Sequence, residues 1–77
     1  MQIPPQQHAT LNHIFNFWTE NKHAPTVKEI SEIMHKSPAT VRIHIMALVD
    51  KGLLSRIPMM KRSICLTDEA KRMFHNG

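Results

Sequence analysis

Apolar side chains recur three and four positions apart in three successive stretches of this 77-residue chain, and the period then changes to alternation. Leu11, Ile14, Phe15 and Trp18 form the first helical stripe. Pro4-Pro5 suits a first helical turn because its fixed φ matches the helix and its missing amide is not needed there, and the stripe ends near Asn21-Lys22. Phe17 lies on the flank of this stripe, readable as core edge or as an exposed contact. His23-Ala24-Pro25 breaks the pattern, since proline biases the preceding residue away from helical angles. Thr26-Val27-Lys28-Glu29 has the form of a capping box opening a short second helix, with Val27, Ile30, Ile33 and Met34 as its buried side. His35-Lys36 makes a turn. Ser37-Pro38 supplies an N-cap and a first helical residue for a third helix, in which Val41, Ile45 and Leu48 face inward with Val49 beside them. Gly52 ends it, because glycine accepts the left-handed angles required after a helix. Two helices joined by so short a turn cross steeply, the helix-turn-helix arrangement.

After Gly52 the residues Leu53-Leu54-Ser55-Arg56-Ile57 and Ser63-Ile64-Cys65-Leu66 read as two strands joined by Pro58-Met59-Met60-Lys61-Arg62. Alternation puts Ile64 and Leu66 on one face and Cys65 on the other. Thr67 then caps a last short helix whose Asp68-Glu69 suit the positive end of a helix dipole, and Ala70, Met73 and Phe74 return to the core. The predicted order is helix, helix, helix, hairpin, helix: mainly α with a small β-hairpin, as one domain over residues 1–77. A two-stranded hairpin needs something to pack on, and the three-helix unit supplies it.

A chain of this size buries only about 60% of the surface its unfolded form exposes, so its core is thin. Its single cysteine, Cys65, allows neither an intramolecular disulfide nor a thiolate cluster for zinc, which predicts a reducing, cytoplasmic setting and a buried structural thiol. No apolar run approaches the roughly 18 residues of a membrane span, and Met-Gln-Ile-Pro-Pro is not a signal peptide, so no membrane partner is expected. Met1 and the short tails predict a complete chain. Net charge is +4, unevenly placed: between Lys36 and Leu66 six cations stand against one acid, Asp50. Such a basic half suits a polyanion, or an ordinary solvated surface. None of the six histidines lies four residues from another, so no helical pair of metal ligands exists, and His44 reads as a packing or phosphate-contact residue. Two glycines leave no phosphate-binding loop. No cofactor, metal or catalytic centre is expected, and the chain is not expected to be an enzyme.

Ala24-Pro25-Thr26-Val27-Lys28-Glu29-Ile30, then Ser37-Pro38-Ala39-Thr40-Val41, then Leu48-Val49-Asp50-Lys51-Gly52-Leu53-Leu54 resemble the winged DNA-binding domain of the LexA repressors. Leu66-Thr67-Asp68-Glu69-Ala70 is similar to the end of the wing in MarR-type regulators. The resemblance covers nearly the whole chain. It implies a winged helix-turn-helix regulator of transcription that binds double-stranded DNA, with a recognition helix at about 37–51 in the major groove and a wing at about 53–66 on the backbone. The self-cleaving dimerisation domain of those repressors is not among these residues. Ala39, Thr40, Arg42 and Ile43 also stand where the repressors carry more polar and acidic side chains, so the operator is expected to differ.

With Val41, Ile45 and Leu48 inward, Ala39, Ile43 and Met46 point away from the core, with Thr40 and Arg42 on the rims of that face. Arg42 can bond a guanine edge in bidentate fashion or hold a phosphate. Lys36, Ser37 and Thr40 suit phosphate at the start of the helix, and Lys61 and Arg62 sit at the hairpin tip, where a wing would grip the backbone. Ala39 and Ile43 suit thymine methyl groups or a protein contact. The expected partners are therefore duplex DNA and a second copy of the chain across two half-sites, in the nucleoid. The rival reading is a winged-helix interaction module that docks on a transcription or replication protein, motivated by the apolar outward face and by Met59 and Met60.

Overall fold

The computed structural model describes residues 3–75, in the order α1 (Pro5–Asn21), α2 (Val27–Met34), α3 (Pro38–Asp50), β1 (Leu54–Ser55), β2 (Cys65–Leu66) and α4 (Asp68–His75). The boundaries of α1, α2 and α3 rest on local chemistry. Proline stands at the start of α1, which ends where Lys22 turns left-handed (φ 63°) and returns its amide to the Trp18 carbonyl. Thr26 and Glu29 close the full capping box of α2: the Thr26 hydroxyl accepts from the Glu29 amide at 3.1 Å, and Glu29 Oε1 accepts from the Thr26 amide at 2.8 Å. At the other end His35 adopts left-handed angles (φ 56°), and its amide and that of Lys36 bond back to Glu32 and Ser31. Ser37 caps α3 through the Thr40 amide at 3.2 Å. Past Lys51, Gly52 (φ 77°) donates to Val49 O and Leu53 to Leu48 O, the paired bonds of a Schellman end.

α3 packs against α1, α2 and β1, and the core forms around it. Leu11 and Ile14 from α1, Ile30 from α2, and Val41, Ile45 and Leu48 from α3 are fully buried, closed over by Leu53, Leu54, Ile64, Leu66 and Ala70. Phe15 stacks on Phe74 with ring centroids 4.1 Å apart, which docks α4 on α1. Buried Thr10, outside the predicted stripe, turns its hydroxyl back to the Gln6 carbonyl and rests 3.5 Å from Met34 Sδ. Three residues expected in the core are exposed: Ile33 (43%), Val49 and Met73. In α2, a helix of only two turns, the core takes the Ile30–Ser31 side and leaves Ile33 outside.

The hairpin is shorter than the alternation predicts. β1 and β2 pair antiparallel over Leu54–Leu66 and Ser55–Cys65 alone. Beyond that rung, buried Ser63 replaces the ladder with its side chain: its hydroxyl accepts from the Ile57 amide (3.1 Å) and lies within donating distance of the Ile57 and Met60 carbonyls (3.1 and 2.9 Å). Trp18 Nε1 ties the hairpin to α1 by donating to Ile64 O at 2.9 Å, and the Thr67 hydroxyl closes the hairpin's base by donating to Gly52 O, just past α3, at 2.7 Å. Ile64 and Leu66 face the core and Cys65 does not. Three helices with a two-stranded wing and a fourth helix closing behind it make a winged helix-turn-helix. No helix among the described residues is long and apolar enough to cross a membrane.

Candidate nucleic-acid interface

The side of α3 opposite Val41, Ile45 and Leu48 is open to solvent. Ala39 is exposed there, with Ile43 at 65% and Met46 at 58% of full exposure. At the start of the helix the Ser37 hydroxyl donates to Thr40 Oγ1 at 2.9 Å, so both hydroxyls are engaged in the cap. Lys36 is exposed on the turn before it.

Beside this face lies a cleft of about 350 Å³ between the beginning of α2, the flank of α3 and the hairpin loop. Five cations line it: Lys28 from α2, Arg42 from α3, and Arg56, Lys61 and Arg62 from the wing. One acid, Glu29, stands at its rim, and Arg62 takes both of its oxygens, Nη1 to Oε1 at 2.9 Å and Nη2 to Oε2 at 3.1 Å. The Arg62 Nη1 also donates to the Ala24 carbonyl at 3.1 Å and lies 3.3 Å from His23 Nδ1. Arg62 therefore turns away from the hairpin tip and latches the wing to the α2 cap. It holds left-handed backbone angles (φ 58°) as it does so. Among the described residues this is the one ion pair, so Lys28, Arg42, Arg56 and Lys61 converge on the cleft without internal neutralisation.

The sequence matches the model of the LexA DNA binding domain over residues 2–63. This chain belongs to the LexA DNA-binding domain family. It is 31% identical over 65 residues to a LexA repressor of Thermosipho melanesiensis, a match covering 84% of this chain and 33% of the relative. To a LexA repressor of Oleidesulfovibrio alaskensis it is 38% identical, over 84% of this chain and 31% of the relative. The chain thus spans about a third of the length of these curated LexA relatives. In fold it is similar to a MarR family protein from Bacillus stearothermophilus, with TM-score 0.73 at 22% identity over 99% of this chain and 51% of that one.

Within this LexA-type frame the eight residues singled out from the sequence separate into three groups. Ser37 and Thr40 form the cap of α3, with Lys36 just ahead of it. Ala39 and Ile43 form the apolar outward strip, and Arg42, Lys61 and Arg62 belong to the cleft. Lys28 and Arg56 complete that cleft and were missed in the sequence. A signal for Arg56 existed, because alternation puts it on the same face as Leu54, turned back toward α3. Lys51, counted with the basic half, instead reaches across to Gln7 Oε1 on α1. The His44 Nε2 is buried without a hydrogen-bond partner on α3. Cys65 is half-buried, not buried, and lines a groove with Phe15, Trp18 and Lys71, because it sits on the outward face of a two-residue strand.

The Arg62 guanidinium, followed by the Thr26 amide, holds the Glu29 carboxyl below the ordinary glutamate range. A lowered carboxylate pKa contributes stability above the unfolded value of about 4.3, and that stability is lost as pH falls from there through the folded value. Glu29→Gln keeps the side-chain acceptor of the capping box and removes the charge. Its urea midpoint is expected to fall below that of the parent at pH 7, with a loss of unfolding free energy of no more than about 1 kcal/mol for a pair this exposed. At pH 3, below the unfolded value, the difference should be smaller than at pH 7. Equal separation at both pH values would mean that the latch is not ionic.

Proposed function

We propose that this chain is a sequence-specific regulator of transcription that binds double-stranded DNA, with α3 in the major groove and the wing along the backbone. The observation that carries the reading is the convergence of four unneutralised cations from α2, α3 and the wing on one cleft beside an exposed recognition-helix face. The phosphate backbone of a duplex is the polyanion that answers such a concentration of positive charge. Membership of the LexA DNA-binding domain family supports the same reading. Residues 1–77 act as one winged-helix domain, in the nucleoid and without a cofactor. A module of this size gains useful affinity by pairing as a homodimer across two half-sites, and its action is repression, as in the relatives named repressors.

Selection of bound duplexes from a random pool, followed by sizing of the complex, tests this. A single motif should enrich, and log K should fall linearly with log salt by about 0.9 per phosphate contact. No enrichment at low salt, with no salt dependence, would overturn it. A second reading rests on another observation: Met46, Val49, Pro58 and fully exposed Met59 line a mainly apolar groove of about 330 Å³ between α3 and the wing, with Asp50 and the cleft's Arg56 at its edge. That groove suits docking on a transcription or replication protein, and it gains ground if the selection fails.

A further inference from the structure

We infer that the recognition helix reads thymine methyl groups through Ile43 and Ala39, while Arg42 is spent on a phosphate. The inference rests on the DNA-binding reading and specifies its chemistry. On α3 the groups able to bond a base edge are few. Ser37 spends its hydroxyl proton on Thr40 Oγ1 at the cap, and half-buried Thr40 on the rim keeps a single O–H to offer. Arg42 lines the cleft with Lys28, Arg56 and Lys61, where like charges crowd and the one acid at the rim is already held by Arg62. A guanidinium in that company is neutralised best by a phosphate oxygen. What remains facing outward is the strip of Ala39, Ile43 and Met46, with no ionisable group among them.

In the major groove every base pair shows hydrogen-bond donors and acceptors, and the thymine C5-methyl is the apolar feature that distinguishes one base. An isoleucine pressed on a guanine–cytosine edge leaves those polar groups without partners, which is unfavourable. Pressed on a thymine methyl it buries apolar surface on both sides. Removing one such methyl should weaken binding about fourfold, the value of burying one carbon group. The adjacent cleft makes duplex DNA the occupant of this strip, since a protein partner would have to answer four cations as well.

The test uses the duplex enriched from the random pool, with each thymine replaced in turn by deoxyuridine, which keeps the pairing and deletes only the methyl. At one or more positions the dissociation constant is expected to rise about fourfold. Ile43→Ala should bring that ratio close to one at its position, and circular dichroism should show the fold intact, since Ile43 lies outside the core. Arg42→Ala should leave the thymine-to-uracil ratio unchanged, weaken all duplexes alike and lower the salt slope by about one. A duplex that binds tightly but is indifferent to every uracil overturns the inference and leaves DNA binding standing. So does an Arg42→Ala protein that loses a guanine preference at unchanged salt slope. If no duplex enriches, the DNA-binding reading fails and the inference falls with it.

Discussion

Ile45→Ala is expected to lower the thermal midpoint by about 8–40 °C, whereas Ile43→Ala, the same change two residues earlier, should move it by only a few degrees. Ile45 is fully buried on α3, the element that meets α1, α2 and β1. Truncation there removes three carbons and leaves a cavity that rigid neighbours cannot fill, at a cost of about 2–5 kcal/mol. The whole chain has on the order of 4–12 kcal/mol to lose. At this size each kcal/mol corresponds to about 4–8 °C. Ile43 is 65% exposed, and exchanging it for alanine in a helix changes stability by about 0.5 kcal/mol or less. Thermal melts of both variants, followed by circular dichroism, check the contrast. Shifts of similar size would mean that the inward face of α3 is not the one described.

The second large effect belongs to the cleft. Arg56→Glu with Lys61→Glu is expected to weaken duplex binding at least about 100-fold at fixed salt and to lower the salt slope by about two, since two charge-assisted phosphate bonds are replaced by repulsion. Among the described residues neither side chain has an acidic partner, so the double reversal breaks no internal pair. Reversing Arg62 instead would also break the latch to Glu29 and would confound folding with binding. Fluorescence anisotropy at two salt concentrations gives both quantities. Unchanged affinity would exclude the cleft from the DNA interface and favour the groove at Met46 and Met59 as the working surface.

What was legible in the sequence was local. The Thr26–Glu29 box, the Ser37-Pro38 start and the Gly52 stop each depend on residues within one helical turn of one another, and all three form as read. The exposed strip of α3 follows from helical period and the buried stripe opposite. Distant partners were not legible. Arg62 and Glu29 are 33 positions apart, and nothing in either neighbourhood marks one for the other. The cleft draws its cations from three elements and exists only once they are packed. The shortened ladder has a subtler origin: alternation at Ser63 suits a strand, but a buried hydroxyl that can bond the Ile57 backbone itself replaces the rung. Ile33 shows the converse, an apolar residue at core spacing on a helix too short to bury its whole apolar arc.

The Arg62 latch has a thermodynamic consequence for the proposed encounter with DNA. A wing already tied to the α2 cap, and held at its base by Trp18, has surrendered its freedom during folding. Ordering each such side chain at the moment of association would otherwise cost about 0.5–1.5 kcal/mol. Binding then proceeds as the docking of a preformed surface, without coupled folding of the hairpin. Its heat-capacity change reflects the apolar strip of α3 entering the groove and carries no contribution from ordering the wing.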